Sequence, residues 1–115
     1  MRKRKMQLTA SEQQWLDGYR QALRDQFADA VEQVLIYGSK ARGDAGPDSD
    51  VDVLLIVRDE ADAMKRRMRG LGHLLAAATD VVPSIMAYTR GEWDQRKRSR
   101  SPFRRNVERD GVRVL

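Results

Sequence analysis

The segment Asp50-Val-Asp-Val-Leu-Leu-Ile-Val57 constrains this chain more than any other. Its second half is apolar at successive positions, so both faces of that strand need covering, which places it centrally in a sheet. Its first half alternates, and Asp50 and Asp52 share one face. Val31 to Tyr37 reads as another strand, stopped by Gly38, with a short helical turn over Ser39 to Arg42. Val81 to Tyr88 gives a third strand, where Pro83 implies an edge, a bulge or a late start. Val112 to Leu115 is a candidate last strand. A helix beginning near Thr9 or Ser11, with Ser11 a suitable N-cap, carries Trp15, Tyr19, Leu23 and Phe27 at steps of four. A second helix is expected over 61–78, with Met64, Met68, Leu71 and Leu75 on one face, and a short one from Gly91 to about Lys97. The stretch through Pro102 and Phe103 reads as a basic loop. This order predicts a mixed α/β (α+β) domain, its small mixed sheet covered by helices mainly on one face. Residues 9–115 are expected to form that single domain, behind a basic mobile arm over residues 1–8.

Composition narrows the chemistry. At 115 residues the chain fits one domain. It has no cysteine and one histidine, His73, which removes disulfide frameworks, thiolate nucleophiles, Cys-ligated zinc and histidine relays. No apolar run is long enough to span a bilayer and the basic N-terminus lacks the apolar core of a signal peptide, so a cytoplasmic protein with no membrane partner is expected. The net charge is +5. The cations at residues 2–5, with Arg96, Lys97, Arg98, Arg100, Arg104 and Arg105, exceed that figure together, so the rest of the chain is acidic. Carboxylates, hydroxyls, arginines and lysines are left to do any chemistry.

One constellation stands out: Gly38-Ser39-Lys40-Ala41-Arg42-Gly43-Asp44, then Ser49-Asp50-Val51-Asp52-Val53. Carboxylates two residues apart on a strand lie roughly 6 to 7 Å apart at the backbone and repel each other. A divalent cation between them removes that cost, and magnesium, which combines carboxylate and phosphate oxygens, is the natural candidate. Gly38 allows a sharp turn and close approach of a ligand. Ser39 offers a hydroxyl and a backbone amide, and Arg42 a bidentate guanidinium. The result is a phosphate cradle facing a metal-binding pair, without the spacing of a P-loop. Asp44 and Asp48 read as loop and turn residues.

Gly38-Ser39 followed by Asp50-x-Asp52 resembles the signature of the nucleotidyltransferase superfamily. The fuller string GSKARGDAGPDSDVDVLLIV resembles the minimal nucleotidyltransferases of bacteria and archaea, small antitoxins encoded beside HEPN-domain RNase toxins. The resemblance implies a nucleotidyltransferase fold and transfer of AMP, or another NMP, from ATP to a hydroxyl of a HEPN toxin, tyrosine above all. It implies Mg²⁺ (Mn²⁺ as an alternative) at Asp50 and Asp52, and Gly38 and Ser39 on the β- and γ-phosphates. A third carboxylate on the neighbouring strand completes the family's set as metal ligand or general base, and Asp80 is the acidic residue nearest that strand. Two other readings stand beside this one: a non-catalytic binding antitoxin with a vestigial nucleotide site, and a nucleic-acid-binding protein using the basic segments. RNA is the weaker partner, because Phe103 is the lone aromatic within the second basic segment.

Overall fold

The computed structural model describes residues 6–46 and 48–115. The first five residues of the expected arm lie outside them. Its remainder is not detached: Met6 and Leu8 pack against the core, and the Gln7 amide donates to the Lys40 carbonyl at 2.9 Å.

Helix α1 (Ala10–Phe27) is capped by Thr9 rather than Ser11. Thr9 Oγ1 accepts from the Glu12 amide at 3.1 Å, and Glu12 Oε1 accepts from the Thr9 amide at 2.8 Å. This reciprocal capping box satisfies two end groups at once. Strand β1 (Val31–Tyr37) leads into the five-residue helix α2 (Gly38–Arg42), and β2 spans Val51–Val57. The helix expected over 61–78 is divided into a 3-10 turn at Asp59–Met64 and α3 at Lys65–Ala76. Asp59 ties that turn to a distant segment by accepting from the Gly91 amide at 2.8 Å. Strand β3 (Pro83–Thr89) starts at the proline, where a missing N–H costs least. Helix α4 covers Arg90–Arg98.

The expected basic loop is instead helix α5 (Pro102–Asp110). Ser101 caps it, accepting from the Arg104 amide at 3.3 Å, and Pro102 sits in the first turn, where no intrahelical N–H is lost. Strand β4 is short, Val112–Arg113.

The sheet order is β3-β2-β1-β4. β1 runs antiparallel to β2 and β4, and β2 parallel to β3, with α3 as the crossover. On one face Val34, Ile36, Val51, Val53, Leu55 and Val57 pack with Trp15, Tyr19, Leu23 and Met68 of α1 and α3. Tyr19 Oη donates to the Met68 carbonyl at 2.7 Å, and Trp15 Nε1 to the Gly72 carbonyl at 2.9 Å. Gly72 lets α3 lie close, since a Cβ there would collide with Ile85 and Tyr19. Thus the longer helices share one face, as the pattern implies. A smaller cluster of Leu54, Ile56, Trp93 and Val107, rimmed by Leu35, Tyr37, Tyr88 and Phe103, covers part of the other through α4 and α5. Asp52 has the parity of Leu54 and Ile56, and therefore lies on this second, partly open face. Among the described residues no helix is long and apolar enough to cross a membrane.

Candidate functional site

The last residue of β1 pairs with the second aspartate: Tyr37 stands opposite Asp52 in the antiparallel register. Chain direction then changes abruptly at Gly38, whose φ of +73° lies in the left-handed region. The absent side chain matters as much as the angle. A Cβ at Gly38 would collide with Oδ2 of Asp52 and stand 3.3 Å from its Cγ. Backbone and carboxylate are therefore packed together, and Ser39 follows directly. At the other end of α2, Gly43 closes the helix with φ +80°, its amide donating to the Ser39 carbonyl at 2.9 Å. The sequence brackets this helix with two glycines because both exits need left-handed backbone.

Two buried charges hold α2 from behind. Lys40 Nζ lies 3.0 Å from Glu12 Oε2, and the side chains are only 5% and 9% exposed. Glu12 thus caps α1 with one oxygen and anchors α2 with the other. On the outer side Arg42 pairs with Asp44 at 3.2 Å and with Asp110 of α5 at 3.6 Å. Asp44, in the loop, therefore serves the guanidinium.

Asp50 is exposed just before β2, and Asp52 is half-buried. Burial, then repulsion from Asp50, raises the Asp52 carboxyl above the usual carboxylate range, and Arg42 partly offsets both. Burial, with Asp52 and Tyr88 adding to it, pushes the Tyr37 hydroxyl up to about 12. Negative charge is thus disfavoured at this spot, and a bound cation would relieve that cost. The donor chemistry of Asp50 and Asp52, hard carboxylate oxygens beside a side-chain-free cradle, fits magnesium.

Gly38, Ser39, Arg42, Asp50 and Asp52 come together; Asp80 does not join them. It lies in the bend before β3 and lines a hollow with Ser11, Gln14, Gly18, Leu75 and Thr79, on the α1 side of the sheet. Among the described residues no three His, Cys, Asp or Glu side chains are grouped to hold a metal. On β3 the residue paired with Asp52 is Ser84. A hollow of about 500 Å³ is lined by Phe27, Ala30, Arg58 and Met64 beyond the far end of β2, away from these carboxylates.

Several residues around the site carried weaker signals in the sequence. The Thr9-x-x-Glu12 spacing marks a capping box, but nothing marks Glu12 as the partner of Lys40. The aromatic wall above Asp52 joins Tyr37 to Phe103 (centroids 5.3 Å apart), Phe103 to Tyr88 and Trp93 (6.1 Å each), and Tyr88 to Trp93 (5.7 Å). Those residues are dispersed along the chain, so only folding assembles them.

No curated protein sequence matches this chain. Two solved structures share its fold. One is a Sulfolobus solfataricus protein assigned as a nucleotidyltransferase, with a TM-score of 0.54 and 22% identity, covering 87% of this chain and 76% of its own. The other is the toxin–antitoxin complex MntA–HpeT in a mutant form, with a TM-score of 0.55 and 18% identity, covering 95% of this chain and 73% of the matched one. The model of the nucleotidyltransferase domain matches residues 16–110, a span containing the glycine turn and both aspartates. The chain belongs to the nucleotidyltransferase domain family.

Proposed function

We propose that this chain is a minimal nucleotidyltransferase that moves AMP from ATP to a hydroxyl of a protein acceptor, a HEPN-type toxin whose tyrosine it modifies, and so acts as an antitoxin. The observation carrying this reading is the packing of Gly38 on Asp52, with Ser39 next along the chain and Asp50 two residues away. In this reading Ser39 and the first-turn amides of α2 bind the terminal phosphates, and Arg42 adds charge. Asp50 and Asp52 hold Mg²⁺, which when bound neutralises triphosphate charge and makes the α-phosphorus more electrophilic. The acceptor oxygen forms a bond to the α-phosphorus, the bond from that phosphorus to the bridging oxygen breaks, pyrophosphate departs, and the hydroxyl proton passes to solvent. The carboxylate pair lies on the partly covered face of the sheet with Asp50 exposed, which supports an acceptor approaching from outside the fold. The likeness to a toxin–antitoxin complex supports a protein in that role.

A second reading is favoured by one specific observation: no third carboxylate joins the pair among the described residues. That fits a binding antitoxin whose nucleotide site is vestigial. Growth rescue separates the two. Co-expressed with a HEPN-type toxin as the proposed acceptor, the wild-type chain should restore growth and the Asp50→Asn/Asp52→Asn variant should not. Equal rescue by both would reject transfer as the mechanism and leave neutralisation by contact.

A further inference from the structure

The turn from α4 into α5 concentrates charge that the carboxylate site does not use. A hollow of about 320 Å³ opens there, lined by Arg96, Lys97, Arg100, Arg104 and Arg105, with Ser101 and Glu108. Glu108 is committed to Arg104 at 3.0 Å, and Arg104 also reaches Asp94 and lies over the Trp93 ring at 4.8 Å. Its charge is spent within the fold. The others are not so employed. Among the described residues the side chains of Lys97, Arg100 and Arg105 make no ion pair or hydrogen bond. The Arg96 guanidinium lies over the rings of Tyr88 and Phe103, at 4.6 and 5.9 Å. Four cations around one hollow repel each other until an anion enters.

Arg100 adds a conformational observation. Its φ of 57° makes it the one non-glycine residue with positive φ among those described. Glycine takes that backbone at less cost, yet this position presents another guanidinium to the same hollow.

The corner is also well placed. Tyr88, beneath Arg96, lies four residues along β3 from Ser84, the partner of Asp52. At the rise of a strand this is about 13 Å, on the same face of the sheet. The other end of α5 returns to the site, where Asp110 meets Arg42. A protein that sets a hydroxyl against Asp50 and Asp52 thus has the corner within reach. RNA fits less well. Trp93 is buried, and Tyr88 and Phe103 pack on each other and under Arg96, so these rings offer no base-stacking platform.

We infer that this corner is a docking site for an acidic, Asp/Glu-rich segment of the protein acceptor. This deepens the function proposed above and rests on it. The corner fixes where the acceptor lies, while the carboxylate pair acts on its hydroxyl. Steering by unpaired cations raises the encounter rate and weakens with salt.

The test uses the full chain, a fluorescein-labelled octaglutamate peptide and an eight-nucleotide single-stranded RNA, read by fluorescence anisotropy at matched ionic strength. Octaglutamate should bind the wild type, and Lys97→Glu/Arg105→Glu should weaken it about tenfold or more. Arg100→Gly should weaken it too without lowering the melting temperature, because glycine relaxes that turn. Asp52→Asn should bind the peptide as the wild type does. With the acceptor, the corner variants should raise KM and leave kcat unchanged. Equal peptide binding by wild type and corner variants overturns the inference, as does tighter binding of the RNA than of the peptide. An acceptor labelled with unchanged KM by the corner variants sinks the docking site alone. Peptide binding that depends on the corner, with no labelling by the wild type, sinks the transfer reading instead.

Discussion

Replacing Gly38 by alanine perturbs the fold and the chemistry through one atom. The backbone there holds φ at +73°, and a side chain in the left-handed region costs about 1–2 kcal/mol. The new methyl also lands on Oδ2 of Asp52, so the carboxylate must rotate away or the turn must open. For a domain of this size each kcal/mol lowers Tm by about 4–8 °C, so a fall of roughly 4–16 °C is expected. Misplacing a positioning group by about 1 Å costs on the order of 100-fold in rate, so transfer to the acceptor should fall by about that factor while the protein stays folded. Denaturant unfolding followed by the fluorescence of Trp15 and Trp93, with a labelled-nucleotide transfer assay, measures both effects. Gly70→Ala is the control: nothing lies within 4 Å of its Cβ and its φ is ordinary, so in α3 it should stabilise by up to about 1 kcal/mol. Wild-type stability and activity in Gly38→Ala would refute the claim that this turn and Asp52 are packed as one unit.

Three further outcomes follow from neighbouring residues. Lys40→Met leaves Glu12 buried without its ionic partner and should cost about 3 kcal/mol or more, while Glu12→Gln/Lys40→Met should recover part of that loss, as urea titrations will show. Burial and Asp50 raise the pKa of the Asp52 carboxyl in the fold, so ionising it opposes folding: Asp52→Asn should melt higher than wild type at neutral pH, and the gap should close as pH falls from that raised value to the ordinary carboxylate range, below which folded and unfolded chains are protonated alike. Added Mg²⁺ should raise the wild-type melting temperature and leave that of Asp52→Asn unmoved. Ser84→Asp places a third carboxylate beside Asp52 across β2 and β3. It should tighten Mg²⁺ binding about tenfold or more by calorimetry, and unchanged binding would show that Ser84 does not face the pair.

Strands β1 and β2 are legible in the sequence because Val31–Tyr37 and Val51–Val57 are runs rich in β-branched residues, the first stopped by Gly38. The pairing of Asp50 and Asp52 on one face follows from the period of a strand alone. Helix α5 is hard to see for a physical reason. Only Phe103 and Val107, one turn apart, mark its inner face, and the arginines around them carry the pattern of a solvated loop. Its start was nonetheless encoded by Ser101-Pro102, a cap followed by a first-turn proline. The capping box illustrates a different difficulty. Thr9 and Ser11 are both competent caps, and only the reach of Glu12 back to Thr9, reinforced by its pairing with Lys40, selects the first. Asp80 lies near β3 in the sequence, yet the bend before that strand carries it to the opposite side of the sheet. Proximity along a chain does not determine a face.

If the carboxylate pair and the glycine turn move a nucleotidyl group, the fate of each phosphate of ATP is fixed. The test is ATP labelled at the α-phosphorus or at the γ-phosphorus, incubated with Mg²⁺, the chain and a HEPN-type toxin as the proposed acceptor. The α-label should become covalently attached to the toxin, the γ-label should leave in pyrophosphate, and Asp52→Asn should transfer neither. Attachment of γ-label, or equal α-labelling by Asp52→Asn, would contradict nucleotidyl transfer by this pair.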